Sequence, residues 1–563
     1  MSRHIQLPGR RARTGRFTSI RRTPLQLPRE QAIADVDSGG EYDVLVIGGG
    51  VTGSYVALDC ATRGLRVALV EKDDFASGTS SKSSKMVHGG LRYIEQGNLG
   101  LVRHALLERQ RLRTNAPHLV QRLPFLFPVL AHDGVFDPRL AKAFEGLLWT
   151  YDLAGGWRIG RLHQRLTADE VLSRAPLLAG ADVRSGFLYY DCRADDARLT
   201  LTIARTAAHY GATLLNGARV TGLIEVDGRV RGARVDTGAG QVDVRARVVV
   251  NATGVWSDTV DALADPAHEP RVRPGKGVHL VLPWTRLRID GTVTVPIPGR
   301  SRRATCTRWG DCVIVGLTDT DYDGPLDDVQ CTGDEMRFLL DGVNAAFGTD
   351  LSDADVVGSY AGLRPLVGSK EGATLTMSRD HSITVDVRAM VTVTGGKLTT
   401  ARHMGELVTD QVDRLLERNG RCRTKTLPLL GGAGYDAEAT TATGGLAAHL
   451  SGRYGTEAAF VSALIAEDPA LGKPIVDGAP HVMAEVVYAA RCELARSVDD
   501  VLSRRTRLRL FARDRSVDAA PAVAEILGRE LDLDAAERDR QVAEYAASIA
   551  HEKQCLTTTS SAS

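Results

Sequence analysis

No uninterrupted apolar run in this sequence approaches the roughly 20 residues that a spanning helix requires, so any membrane contact is expected to be peripheral. The eight cysteines (Cys60, Cys192, Cys306, Cys312, Cys331, Cys422, Cys492, Cys555) are scattered and form no CxxC pair. Without ligand spacing they read as thiols of a reducing compartment, neither a zinc site nor a disulfide framework, and no metal is expected. An excess of one charge is also lacking. The 70 Lys and Arg residues face 69 Asp and Glu, a formal net charge of +1, which gives no global reason to bind nucleic acid. Anion binding has to come from a local cluster. No internal repeat of solenoid period is visible.

What is present is an ordinary globular composition, 43% apolar and 25% charged, in a 563-residue chain too long for one core. Two or three domains follow. Residues 1–40 are arginine-rich, carry no acid before Glu30 and lack the apolar core of a secretory signal. They read as a basic disordered extension, with a composition compatible with a transit peptide. Order is expected from "YDVLVI", a buried strand; then come a glycine turn, a helix from about Thr52 to Arg63 stopped by Gly64, and the strand "LRVALV". This is β-α-β, the opening of a doubly wound parallel sheet. Helices are expected over 99–122, 139–153 and 195–210. The sequence around Asp191, Asp195, Asp196 and Arg198 reads as a capped start of the last. Short strands fill 183–290, and two valine-rich strands stop abruptly at Gly254 and Gly396. Beyond about Arg421 alanine-rich helical segments take over.

Gly48, Gly50 and Gly53 form GxGxxG, with Gly49 inside the loop and Ala57 where the helix must approach the sheet. The first glycine permits the turn, the second lets backbone approach a pyrophosphate, and the third lets helix and strand pack. Free N–H groups at the helix start then hold the diphosphate. Glu71, followed by Lys72, ends the second strand and suits a free ribose diol. The loop alone leaves FAD and NAD undivided. The hydroxyl-rich stretch "SGTSSKSSKMVHGGLRYIEQ" and the returning strands "NATGVW" and "VTGGKLTT" separate them, because a flavoprotein needs glycine-ended strands and a polar loop around its larger cofactor.

Taken together, "VIGGGVTGSYVALDCATRGLRVALVEK", "GTSSKSSKMVHGGLRYIEQGNLGLVRHALLER", "YYDCRADDARL", "VVNATGVWSD", "GKGVHLVLP", "GLTDTDYDG", "YAGLRPL", "VTGGKLTTAR" and "EVVYAARCELARSVDDVLSRRTRL" occur in one order over roughly residues 42–530. The sequence so resembles the FAD-dependent, respiratory glycerol-3-phosphate dehydrogenases, relatives of the α-glycerophosphate oxidases. The resemblance implies an α/β chain with a Rossmann-like, doubly wound FAD domain of the D-amino-acid-oxidase type. A mixed-sheet substrate domain and a C-terminal all-α domain complete it. The expected division is 1–40, extension; 41–425, with FAD parts at 41–125, 183–258 and 355–410 and substrate parts at 126–182 and 259–354; 426–550, helical domain; and 551–563, disordered tail.

The resemblance also implies that sn-glycerol 3-phosphate is oxidised at C2 to dihydroxyacetone phosphate, a hydride passing to flavin N5. Arg92 and Arg364 match its substrate-site arginines, with Arg379 a third; guanidinium forks suit a phosphate dianion. Tyr93 can hydrogen-bond a substrate oxygen, and Lys397 follows two glycines, Gly395 and Gly396, near the flavin. Gly254 ends the other flavin-facing strand. His88 and His279 are the candidate bases, His88 preferred. Thr79, Ser80, Ser83, Ser84 and Lys85 are expected to contact the flavin. One departure stands out: "PIPGRSRRATCTRWGDCVIVGLTDTD" carries Arg302, Arg303 and Arg308 where the family has an apolar segment.

Electrons are expected to leave for a membrane quinone, which needs a membrane-facing surface. Residues 122–151 carry Phe125, Phe127, Phe136, Phe144, Leu147, Leu148 and Trp149 between basic residues, as an amphipathic interface would; a core contribution under the sheet is the competing reading. The expected location is cytoplasmic, peripheral on the inner face of the cell membrane, with a homodimer as a further partner expectation. The alternatives are an oxygen-using glycerol-3-phosphate oxidase, a flavin oxidase of another small substrate, and a non-catalytic flavoprotein.

Overall fold

The structure is a computed structural model and describes residues 22–558 apart from 96, 132–137, 266, 298–302, 317 and 368–380. Its first sheet grows from the strand Tyr42–Ile47, whose side chains are nearly all buried, as an unbroken β-branched run in a two-sided sheet should be. Val67–Val70 and Gln241–Asn251 pair parallel to it on either side. Thr213–Leu215 and Val391–Thr394 extend the parallel order outward, and Ser382–Val385 closes one edge antiparallel. A hairpin, Arg219–Val226 with Arg229–Asp236, attaches to the start of the Gln241 strand.

The helix Val51–Thr62 follows the first strand and packs between the helices Asp196–His209 and Ala401–Leu415. Asp195 caps the second of these, its side chain accepting from the Arg198 N–H.

The second sheet is mixed. Gln121–Leu130 and Val183–Arg193 run antiparallel along ten matched positions, and Val272–Pro283 pairs antiparallel with both Gly358–Val367 and Cys312–Gly316. The helix expected over 99–122 ends early, at Asn115. Pro117 follows, and the prolines at 124 and 128 deny a helix its N–H donors while sitting in a strand beside Val183–Arg193.

The C-terminal helices Met483–Glu493, Arg513–Leu531 and Ala535–Thr557 enclose a core around Val486, Val501, Leu502, Val523, Leu527 and Ile549, and Gly445–Tyr454 and Ala458–Glu467 pack a second one around Leu450, Tyr454 and Val461. Two boundaries differ from expectation. Part of the basic extension is helical, Arg29–Asp37, because Val36 is buried against the first sheet and the Arg29 guanidinium donates to the carbonyls of Gly217 and Thr237. The tail is helical to Thr557, held by buried Leu556 and by Glu552, which accepts from the backbone and hydroxyl of Ser359. Residues 1–21 and 559–563 lie outside the described residues.

Candidate functional site: a dinucleotide cavity and its wall

A cavity of about 590 Å³ opens where the parallel strands end, the crevice in which doubly wound sheets bind ligands. Gly48, Gly50, Val51 and Thr52 form its floor. The glycine spacing has steric causes. Gly48 takes φ +108°, and a Cβ there would lie 2.7 Å from the Ala252 carbonyl oxygen. A Cβ on Gly53 would lie 2.0 Å from the Gly48 carbonyl oxygen, so any side chain would force the helix off the strand.

Glu71 closes one side. Its carboxylate accepts from the N–H groups of Gly49 (2.7 Å) and Asp73 (3.0 Å). Burial pushes this carboxyl up to about 7, against the downward pull of those two donors. Lys72 lies over the Trp256 ring, 4.3 Å from its centroid, and both residues line the cavity. The Trp256 indole N–H is buried without a partner among the described residues.

Of the hydroxyl loop, Thr79, Ser80 and Ser83 line the cavity, while Ser84 and Lys85 do not. Ser80 accepts from the Val51 N–H (2.9 Å), tying the loop to the helix start, and Thr79 donates to the Leu363 carbonyl (2.6 Å). Lys85 turns inward. Its ammonium donates to Asp196 (2.8 Å) and to the Ser81 carbonyl (3.1 Å), and burial followed by repulsion from Arg507 pushes it down to about 8. Arg507, from the helical domain, donates to the same two acceptors at 3.1 and 2.6 Å. Asp196 also accepts from the Ser83 N–H and hydroxyl (3.0 and 2.7 Å).

The opposite wall carries Gly254, Gly395, Gly396 and Lys397. The three glycines take φ between +64° and +86°, a region costly for any other residue. The Lys397 ammonium sits 4.0 Å from the centroid of the Tyr93 ring. Next to them, the His88 N–H donates to the Thr399 hydroxyl (3.1 Å). Arg364 is half-buried in the strand beside Thr79's acceptor. Its guanidinium donates to Asp319 (2.9 Å) and to the carbonyls of Lys276 (3.2 Å) and Thr318 (3.1 Å).

His279 belongs to the neighbouring strand, opposite Tyr360, on whose ring it stacks at 4.6 Å. It is sealed from solvent, and burial, reinforced by Lys85 and Arg364, pushes it down to about 3. Arg379 and the side chain of Arg92 lie outside the described residues, as do Arg302 and the segment around it. Lys397 lines the cavity, with the Tyr93 ring against its ammonium and the His88 backbone tied to Thr399 nearby, while His279 and Lys85 lie in buried surroundings.

Three features escaped sequence reasoning. Trp256 was legible only as part of "NATGVW". Asp196, read as a helix start, is a buried anion under the cavity loop. Asp74 accepts both Nη groups of Arg505 (2.6 and 2.8 Å). Burial works to raise its carboxyl, but Arg505 and Arg504 outweigh that and hold it low. No local spacing signals an arginine some 430 residues away.

A family model described as FAD dependent oxidoreductase matches residues 43–411, and one for the C-terminal domain of alpha-glycerophosphate oxidase matches 422–538. Glycerol-3-phosphate dehydrogenase 2 of Mycobacterium tuberculosis is 42% identical over 544 residues, spanning 93% of this chain and 90% of the relative. The chain belongs to the FAD-dependent glycerol-3-phosphate dehydrogenase family. A mitochondrial glycerol-3-phosphate dehydrogenase of Arabidopsis thaliana is 37% identical over 90% of this chain and 86% of its own. Among solved structures, the glycerol-3-phosphate dehydrogenase from Bacillus halodurans complexed with FAD superposes with a TM-score of 0.75 at 27% identity, covering 92% of this chain and 97% of that one. The L-alpha-glycerophosphate oxidase of Mycoplasma pneumoniae shares the fold, with a TM-score of 0.52 at 20% identity over 69% of this chain and 99% of that one.

The protein is thus an FAD-dependent oxidoreductase, and the cavity fits the cofactor. The glycine floor admits a diphosphate where a Cβ would collide, and Glu71 offers a carboxylate at the ribose end. The positive-φ glycines opposite leave room for a planar ring.

Proposed function

We propose that this chain oxidises the C2 hydroxyl of sn-glycerol 3-phosphate to the ketone of dihydroxyacetone phosphate and passes the electrons to a membrane quinone. The observation that carries the reading is the Lys397 ammonium held over Tyr93 on the cavity wall. It sets a fixed cation and a phenol where a small anionic alcohol would meet the cofactor. The curated relatives, named for glycerol 3-phosphate at 42% and 37% identity, support the substrate.

Bound FAD supplies the acceptor for the C2 hydride, at N5. The chain's own residues do the rest. Arg364 would offer its guanidinium to the phosphate, its existing grip on Asp319 fixing its plane, and the family resemblance assigns Arg92 and Arg379 to the same anion. Lys397 holds the substrate oxygen and favours negative charge nearby, an effect enlarged away from water. His88 accepts the hydroxyl proton. It is half-buried and its backbone is pinned to Thr399, two residues past Lys397. His279 is sealed among side chains, where burial pushes it down to about 3, and this disfavours it as the base. In the same reading Ser80, Thr79, Ser83 and Lys72 contact the cofactor, and the chain divides into catalytic and helical domains near residue 425.

Quinone use requires contact with a bilayer. No helix among the described residues is long and apolar enough to cross one. The helix Ala141–Leu153 buries Phe144 and Leu148 but leaves Trp149 and Leu153 exposed, with Leu140 and Trp157 at its two ends also exposed. Arg139, Lys142, Arg161 and Arg165 are exposed around this apolar patch. Aromatic and aliphatic tips ringed by cations suit an anionic headgroup layer.

The test is anaerobic. Addition of glycerol 3-phosphate to FAD-loaded protein is expected to bleach the long-wavelength flavin band, glycerol is expected to leave it unchanged, and Arg364→Ala to abolish the response. Reoxidation by a short-chain quinone is expected to outpace reoxidation by air. FAD-loaded protein that keeps its colour in glycerol 3-phosphate would sink the substrate reading, and faster reoxidation by air would sink the quinone.

A further inference from the structure

The short stretch Val87–Gly90 carries His88, and its backbone is held at three successive points. Val87 pairs antiparallel with Cys192, at the end of the strand Val183–Arg193. The His88 N–H donates to the Thr399 hydroxyl (3.1 Å), in the turn that follows Lys397. The Gly89 N–H donates to the Tyr151 hydroxyl (3.0 Å), with an Asp191 carboxylate oxygen 3.4 Å away as a weaker second acceptor. Tyr151 belongs to the helix Ala141–Leu153.

The Tyr151 hydroxyl can accept from Gly89 only while its own proton points elsewhere. Asp191 takes that proton, accepting from the hydroxyl at 2.6 Å. Arg109, from the helix Leu99–Asn115, donates to the same carboxylate at 2.5 Å and to the carbonyls of Tyr190 and Gly156 (3.2 and 3.1 Å). All three side chains are sealed from solvent. A buried ion pair adds little net stability over well-packed apolar side chains. What this one does is fix the place of a phenolic oxygen. Gly89 admits the contact, since a Cβ there would lie 2.5 Å from that oxygen. Gly90, next along the chain, takes φ +78° and lies so close under the Tyr93 ring that a Cβ would come within 2.4 Å of it. That ring is the one that meets the Lys397 ammonium.

We infer that Tyr151 and Thr399 are positioning residues for the oxidation. Their hydroxyls set the Gly89 and His88 amides, and through them the aim of the His88 side chain and the seat of the Tyr93 ring. Asp191 and Arg109 orient the first of these hydroxyls. The inference rests on His88 being the base. Neither Tyr151 nor Thr399 lines the dinucleotide cavity, so replacing either leaves the Arg364 guanidinium in place. A base displaced by a fraction of an ångström loses its reacting geometry while the substrate still binds.

The experiment follows anaerobic flavin reduction in FAD-loaded full-length protein by stopped flow, over a range of glycerol 3-phosphate concentrations. Tyr151→Phe and Thr399→Val are each expected to slow reduction at saturating substrate by about tenfold or more, with the half-saturating concentration changed by less than about twofold. Thr399→Ser, which keeps the hydroxyl, should restore most of the rate. Either first variant reduced at the unaltered rate, or a loss confined to the half-saturating concentration, would overturn the inference. Should Tyr151→Phe fail to hold FAD, the Thr399 pair decides, and Thr399→Ser as slow as Thr399→Val overturns it. Unaltered protein that keeps its colour, or His88→Asn reduced at the unaltered rate, removes the reading of the site and the inference together. Slow His88→Asn beside hydroxyl variants at full rate removes the inference alone.

Discussion

Glu71 sits at the crossing of two demands. The turn needs its carboxylate to hold the Gly49 N–H, while burial resists its charge and pushes it up to about 7. An acid whose folded value is raised binds its proton more tightly when folded. In cofactor-free protein it therefore costs stability as pH rises from the usual carboxyl range towards about 7, with no further change above. Ribose hydroxyls donating to the carboxylate favour the ionised form, so FAD binding should release a proton below that point. Affinity for FAD is expected to rise by up to about tenfold per pH unit towards pH 7 and then level off. Titration of apo-protein by flavin fluorescence quenching checks this, and Glu71→Gln should flatten the profile. A slope that persists in Glu71→Gln would assign the proton elsewhere.

At the scale of elements, the hydroxyl loop 79–84 is held from below by Asp196, which Lys85 and Arg507 share. Lys85 directly follows the loop; Arg507 arrives from the helical domain. Removing one member of such a buried set leaves charge uncompensated, at a cost of about 3 kcal/mol. Arg507→Ala should thus lower the urea concentration at which FAD is released, with Arg507→Lys recovering part of the loss. Flavin fluorescence followed beside far-UV ellipticity distinguishes loop loosening from global unfolding, since the first predicts that flavin leaves before helix is lost. The strand-turn-helix around Gly48–Gly53 was legible because its signal is local and steric. The Lys85 role was not, because a lysine in a loop looks alike whether it reaches a cofactor or a buried aspartate.

For the whole molecule, the exposed stripe of Ala141–Leu153 and the Trp157 turn make a single apolar patch ringed by arginine and lysine. Trp149→Ser combined with Leu153→Ser and Trp157→Ser removes side chains whose burial contributes about 1.5–3 kcal/mol each. Sedimentation with phosphatidylglycerol vesicles is expected to fall by more than about tenfold, with turnover of a soluble dye acceptor unchanged. Undiminished vesicle binding would reject this face. The same stretch shows how far periodicity reaches: Phe125, Phe127, Phe144 and Leu148, expected at an interface with Trp149, are buried in one core cluster. Of its described apolar side chains, Leu140, Trp149 and Leu153 stayed exposed, and Phe136 lies outside the described residues.

The sequence by itself determined the dinucleotide loop, the family, the cofactor and the order of the two halves. Each rests on neighbours a few residues apart, or on motifs whose order along the chain is itself the evidence. Tertiary structure alone decided which histidine is sealed, where Lys85 points, and that Asp74 and Asp196 are clamped by Arg505 and Arg507. Those outcomes depend on burial and on charges brought together across hundreds of residues. Solvation and long-range pairing are properties of the packed chain, and no short window of residues contains them.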